Sequence, residues 1–297
     1  MRSFQYLAPI PPFDYASPRT LPELFETLEG HGKELQVIAG GTDLMIALKE
    51  RAVAPKIIVD LSRLRKELGG ITVEGGVLRI GALATFSQIE SSPLVARYAN
   101  ALRQAAANVG TLQIRSIATL GGNLATASPA ADSAPPLIAL GATVTLLSRS
   151  EQRSLAVQNV FAGPKRNGLR PGEIVSSVEI PANEEVRSAW TRSAVRNENV
   201  LSTVSVAVAA TLQDGRFGPS GIALGAVAPT PILAEKASRE MTGSRATKEQ
   251  AERVASMAAE DARPISDIRA SAHYRKRLVL VLTKRLILQI LSESVTP

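Results

Sequence analysis

The chain has 297 residues, 45% apolar and 21% charged, with 21 Gly, 18 Pro and one Trp, an ordinary globular composition that is long for a single core. With no cysteine and two histidines, it can form no disulfide, thiolate-held iron–sulfur cluster, Cys-type or His-rich metal site or cysteine nucleophile, so any redox or metal chemistry must come from a bound organic cofactor or another polypeptide. The formal charge of +7, from 34 basic and 27 acidic residues, is scattered and not interleaved with aromatics, which points to solvated faces or an acidic protein partner and away from nucleic acid.

In chain order, residues 1–12 carry one basic residue and no apolar run of signal length, so nothing in them asks for export and a cytoplasmic location is expected. Thr20-Leu21-Pro22-Glu23 has the T-x-x-E capping pattern with proline in the first turn, which predicts a short helix closed by Gly30 or Gly32. Residues 35–38 read as a buried strand running into Ala39-Gly40-Gly41-Thr42-Asp43-Leu44, with helical propensity over 45–50. A second strand follows at 57–61, and 71–73 with 77–80 flank Glu74-Gly75-Gly76 as a hairpin. Ser92-Pro93 opens a helix expected to run towards Ala107 and stop at Gly110. Thr119-Leu120-Gly121-Gly122-Asn123-Leu124 is expected as a second paired-glycine loop, before strands at 142–147 and 173–180.

The texture changes over residues 181–186, which suggests a domain boundary. Strands are predicted at 189–195, 204–212 and 222–227, the last two joined through Asp214-Gly215, then helices at 231–241, 247–261 and 268–292. In the last helix Leu278, Leu282, Leu286 and Ile290 are expected to face one core. The apolar stretch 278–291 is interrupted by Thr283, Lys284 and Arg285 and falls short of the roughly 20 residues of a membrane span.

Neither G-x-G-x-x-G nor a P-loop occurs. What stands out is Gly40-Gly41 directly after a strand and Gly121-Gly122 further on, each with hydroxyl or amide neighbours in Thr42, Thr119 and Asn123. Consecutive glycines let N–H groups turn towards a bulky anion such as a pyrophosphate; they also make plain tight turns, and spacing alone leaves both readings open. Asp43 reads as a cap for the following helix. Asp132 reads as a helix cap or as an acceptor for a cofactor hydroxyl. His31 and His273 read as surface or packing residues, and Trp190 and Phe217 as core.

These segments, together with Phe13-x-Tyr15-x-x-Pro18, Gly110-Thr111-x-Gln113-Ile114-Arg115, Ser128-Pro129-Ala130-Ala131-Asp132-Ser133, the run from Leu224 to Pro231 and Ala272-His273-Tyr274-Arg275, closely resemble the FAD-binding medium subunit of the molybdenum hydroxylases. That family includes the flavoprotein subunits of carbon monoxide, nicotinate and xanthine dehydrogenases. The resemblance implies an α+β chain. A two-subdomain FAD-binding fold of the PCMH/vanillyl-alcohol-oxidase type, over 1–60 and 61–182, is followed by a C-terminal domain over 183–297 of the CO dehydrogenase flavoprotein type, with a small antiparallel sheet and three helices.

By the same resemblance, Val37, Ile38, Ala39, Gly40, Gly41, Thr42, Asp43 and Leu44 on one segment and Thr119, Leu120, Gly121, Gly122 and Asn123 on the other hold noncovalent FAD by its pyrophosphate. Gly110 lines the cleft and Asp132 meets the adenosine end. Ile174 gives a backbone contact beside the flavin, and Arg192, or alternatively Arg196, is the basic residue of the strand after the linker. No residue is assigned as a catalytic acid or base or as a metal ligand. The implied partners are a large molybdenum-cofactor subunit and a small subunit with 2Fe-2S clusters, in a dimer of heterotrimers that passes electrons through FAD to NAD or another acceptor. Some branches of the family carry a further cluster in this subunit; a chain without cysteine has none. The alternative is a free-standing FAD-dependent oxidase of related fold.

Overall fold

Three main sheets, each drawn from its own stretch of sequence, organise the computed structural model, which describes residues 10–196 and 199–292. The first unit contains β1 (Asp14–Ala16), α1 (Leu21–His31), β2 (Leu35–Ile38), α2 (Leu44–Lys49) and β3 (Ile57–Asp60), with a parallel sheet ordered β1-β3-β2. Thr20 caps α1 by accepting from the Glu23 N–H, but the Glu23 carboxylate accepts from Arg19 N–H at 2.6 Å instead of from Thr20. The capping box therefore closes one residue early, and Gly32 at φ +52° ends the region. Leu24, Phe25 and Leu28 of α1 pack on Ile57 and Val59. β2, expected to be buried, is half-buried along its whole length because it is an outer strand of its sheet.

The second unit opens with α3 (Arg65–Leu68), β4 (Ile71–Glu74) and β5 (Val77–Gly81), and Gly75 and Gly76 both take positive φ, as a tight hairpin of this twist requires. Six short helices follow: α4 (Phe86–Ser91), α5 (Pro93–Tyr98), α6 (Asn100–Ala106), α7 (Leu112–Ile117), α8 (Leu120–Thr126) and α9 (Ala134–Ala139). The single helix expected after Ser92 is thus two, broken at Ala99 (φ −147°, ψ 49°). The turn lays α6 against the next domain, where the Ser188 hydroxyl accepts from Ala101 N–H at 3.1 Å, a tertiary contact that outweighs local propensity. β6 (Thr143–Leu147), β7 (Gln152–Ala156), the small pair β8 (Phe161–Gly163) and β9 (Arg166–Asn167), and β10 (Ile174–Pro181) complete the unit, whose antiparallel sheet runs β4-β5-β10-β6-β7.

The C-terminal unit has an antiparallel sheet of β11 (Arg187–Ser193), β12 (Val204–Gln213), β13 (Arg216–Gly225) and β14 (Ile232–Leu233), then α10 (Glu235–Met241), α11 (Lys248–Asp261) and α12 (Ala272–Ser292). Three strands were expected; the fourth is the start of the segment predicted as the first helix, which pairs with β13 before the helix begins. Asp214 (φ 49°) and Gly215 (φ 69°) make the turn between β12 and β13. The sheet is covered on both faces. Ala207, Ala209 and Ala223 face the core of the second unit, while Val206, Val208 and Leu224 face α10 to α12. Close approach is enforced at Gly221, where a Cβ would lie 2.1 Å from the Ala139 carbonyl oxygen of α9. On α12 the buried stripe is Val279, Leu282, Leu286, Ile287 and Ile290, with Leu278 only half-buried, because a repeat of four drifts about 40° per step around a 3.6-residue helix. Among the described residues no helix is long and apolar enough to cross a membrane.

Candidate functional site

The segment from β2 to α2 has an unusual hydrogen-bond balance. Among the described residues, none of the backbone N–H groups of Ala39, Gly40, Gly41, Thr42, Asp43 and Leu44 has an acceptor in the chain. They are only partly covered, so they form a row of donors open to a ligand. Gly41 takes φ +70°, which glycine adopts without strain. Gly40 is required for a different reason: a Cβ there would lie 2.1 Å from the Ile117 carbonyl oxygen and 2.9 Å from the Ala118 Cα. The first glycine pair is thereby seated against the residues that lead into the second. Asp43 stands at the N-cap position of α2 but makes no capping hydrogen bond, contrary to the sequence reading. Val37 belongs to the first core and Ile38 underlies Gly41.

The second pair is not a loop. Thr119 caps α8, accepting from Gly122 N–H at 3.2 Å, so Gly121 and Gly122 form its first turn. The N–H groups here are already used: Leu120 donates to Ala84 O, Gly121 to Ala82 O and Asn123 to Thr119 O. Gly121 is glycine because a Cβ would sit 2.6 Å from that of Ala82. What this segment offers an anion is side-chain chemistry, namely the Thr119 hydroxyl proton and the Asn123 amide nitrogen, with Asn123 oriented by accepting from Ser133 Oγ at 2.6 Å. The two segments therefore differ: one presents backbone donors, the other a tightly packed wall with two polar side chains.

Gly110 (φ +52°) lies just before α7, and its carbonyl accepts from Asn199 N–H at 3.1 Å, tying the cleft to the C-terminal unit. Asp132 does not cap α9, whose N-cap is Ser133. Its buried carboxylate accepts from Arg192 Nη1 at 2.9 Å and from Ser202 Oγ at 2.6 Å, so two residues each expected to serve a cofactor meet each other in one ion pair. Burial pushes the Asp132 carboxyl up, against the pull of Ser202 and Arg192. Ile174 begins β10 with its side chain in the first unit's core, leaving only its backbone for a ligand. Arg275, which sequence reasoning gave no role, is a buried guanidinium that donates to the Thr203 and Ala226 carbonyls and to Asp267, anchoring the start of α12. Phe217 is buried as expected, and His31 and His273 are exposed.

A row of unused backbone donors beside a packed glycine wall suits an anionic ligand, and comparison with known proteins gives the class of protein that carries it. The family model described as the FAD binding domain in molybdopterin dehydrogenase matches residues 11–183, and that of the CO dehydrogenase flavoprotein C-terminal domain matches 189–290. The chain is 32% identical to a putative xanthine dehydrogenase FAD-binding subunit of Escherichia coli, over 93% of this chain and 96% of that one. It is likewise 32% identical to the nicotinate dehydrogenase FAD-subunit of Eubacterium barkeri, over 95% and 97%. Among solved structures, quinoline 2-oxidoreductase from Pseudomonas putida superposes with a TM-score of 0.90 at 30% identity, covering 97% of this chain and all of that one. The chain belongs to the FAD-binding medium subunits of the molybdenum hydroxylases, and is an α+β oxidoreductase flavoprotein.

Proposed function

We propose that this chain is the electron outlet of a molybdenum hydroxylase, holding FAD between residues 39–44 and 119–123 and working with a large molybdenum-cofactor subunit and a small 2Fe-2S subunit in a dimer of heterotrimers. The observation that carries the reading is the unsatisfied donor row at 39–44, seated through Gly40 against the residues preceding Thr119. Such a row fits a pyrophosphate. When bound, FAD supplies chemistry that takes electrons singly and gives them up in pairs.

The chain's own residues hold and orient. Residues 39–44 donate to the anion, Thr119 and Asn123 add a hydroxyl and an amide, Gly110 shapes the floor, and the Ile174 backbone lies at the flavin end. Asp132 and Arg192 serve the site chiefly by locking the C-terminal unit onto the cleft through their buried ion pair. The division at 60/61 and 182/183 follows from this, as two flavin-holding subdomains and a docking domain. NAD or another soluble acceptor and a cytoplasmic setting complete the proposal.

Because the chain has no cysteine for the clusters its reaction needs, the isolated subunit should hydroxylate no substrate, and activity should appear only after copurification with two partners. Turnover of an organic substrate with oxygen by the lone chain, at a rate that partners do not raise, would replace the electron outlet by an oxidase.

A further inference from the structure

The segment 128–133 carries the Asp132 carboxylate and the Ser133 hydroxyl that orients Asn123. Besides the Arg192 ion pair, two hydrogen bonds tie it to the C-terminal unit: the Ser202 hydroxyl donates to Asp132 Oδ1 at 2.6 Å, and the Ala226 N–H donates to the Pro129 carbonyl at 2.9 Å. Both lead to one side chain. Arg275 Nη1 donates to the carbonyl of Thr203, the residue after Ser202, at 2.8 Å and to the carbonyl of Ala226 itself at 2.9 Å, while Nη2 donates to Asp267 Oδ1 at 2.8 Å. Asp267 is fixed in turn by accepting from the Arg269 N–H at 2.9 Å.

Ala226 is where this bracing matters most. Its φ of +61° is a left-handed conformation that a residue with a Cβ keeps only where its surroundings enforce it. Here they act from both sides, with the Pro129 carbonyl on its N–H and the Arg275 guanidinium on its carbonyl. A guanidinium is not needed merely to fill the place: Arg275 is 2% exposed, its Nε–H has no acceptor, and apolar side chains of similar volume often replace buried ion pairs without loss of stability. What an apolar side chain cannot do is hold the start of β12 and the end of β13 by their carbonyls at one point.

We infer that Arg275 is a positioning residue of the flavin cleft. By fixing the Thr203 and Ala226 carbonyls it sets, through Ser202 and Pro129, where the segment 128–133 places Asp132 and, through Ser133, how Asn123 is turned. Arg275 itself touches neither the donor row at 39–44 nor the glycine wall; it acts through these neighbours, with Asp267 as its orienting partner. The inference rests on the flavin reading for what the cleft holds, and on the hydrogen bonds alone for what Arg275 holds.

The test compares the wild type with Arg275→Met and Arg275→Lys, each flavin-loaded and flavin-stripped, by amide hydrogen exchange, FAD affinity, visible circular dichroism of the bound flavin and urea unfolding. The Met variant is expected to unfold at nearly the wild-type urea concentration while the amides of Ala226 and residues 130–133 exchange faster than the rest of the chain. Its FAD affinity should fall about tenfold, the size of effect that a bracing residue exerts through its neighbours, with an altered flavin spectrum. The Lys variant, whose ammonium has donors for the same two carbonyls, should recover part of all three. Wild-type exchange at 130–133 in the Met variant, exchange raised evenly along a chain of lower global stability, or no recovery with lysine would overturn the proposal. A wild type that binds no FAD would contradict the flavin reading, and local exchange at 130–133 would still decide whether Arg275 positions that segment.

Discussion

Asp132 joins residues 60 and 70 positions away, Arg192 and Ser202, at a site 7% exposed. Removing its carboxylate leaves a buried guanidinium whose charge must be met by poorer partners. Asp132→Ala should therefore lower the stability of the flavin-free protein by about 3 to 5 kcal/mol, and adding Arg192→Met should recover most of the loss. Urea unfolding of the two variants checks this; a single variant no less stable than the wild type would show that the pair does not hold the domains. Local sequence offered Asp132 only a helix cap or a cofactor hydroxyl, because its true partners come from the far side of a domain boundary. The packing of Gly121 was hidden for the same reason: its neighbour Ala82 is remote in sequence, so the first turn of a helix read as a loop.

The element that presents Ile174 is fixed by the residue before it. Glu173 accepts both Arg153 Nε and Nη2 at 2.7 Å and the Arg170 N–H at 2.6 Å. The Arg153 hydrogen bonds, with that N–H, outweigh burial and hold the Glu173 carboxyl below the ordinary carboxylate range. A carboxyl lower in the folded than in the unfolded chain stabilises fully above its unfolded value, and the contribution disappears as pH falls through the folded one. Glu173→Gln should thus lower the melting temperature at neutral pH and flatten its decline below about pH 5; a decline as steep as the wild type's would contradict the assignment. Elements defined by local chemistry were legible. Glu74-Gly75-Gly76 and Asp214-Gly215 specify their hairpins through backbone conformation, and the Thr20 and Thr247 caps start their helices where expected. The break at Ala99, which neither Gly nor Pro marks, is set by α6 docking on β11 and could not be read locally.

At the scale of the molecule, the three main sheets are packed in three hydrophobic cores, and the middle unit meets its neighbours at close backbone approaches marked by glycines, Gly40 of the first unit and Gly221 of the third. The paired glycines and the motifs around them were enough to identify the family, because the backbone geometry they serve tolerates few substitutes. What each glycine does was not legible: Gly40 makes room for a carbonyl, Gly41 supplies a conformation, and Gly121 accommodates a methyl group. Gly76, by contrast, has positive φ but open space around it, so Gly76→Ala should strain a turn by about 1 kcal/mol and leave the cleft intact. The most direct test of the whole account is the ratio of acid-released FAD to protein, measured for the wild type, Gly40→Ala and Gly76→Ala, with circular dichroism confirming the fold of each. Stoichiometric, fully released FAD is expected in the wild type and Gly76→Ala, with a folded, largely colourless Gly40→Ala; a wild type without flavin, or a Gly40→Ala protein that keeps its full complement, would contradict the assignment of the cleft.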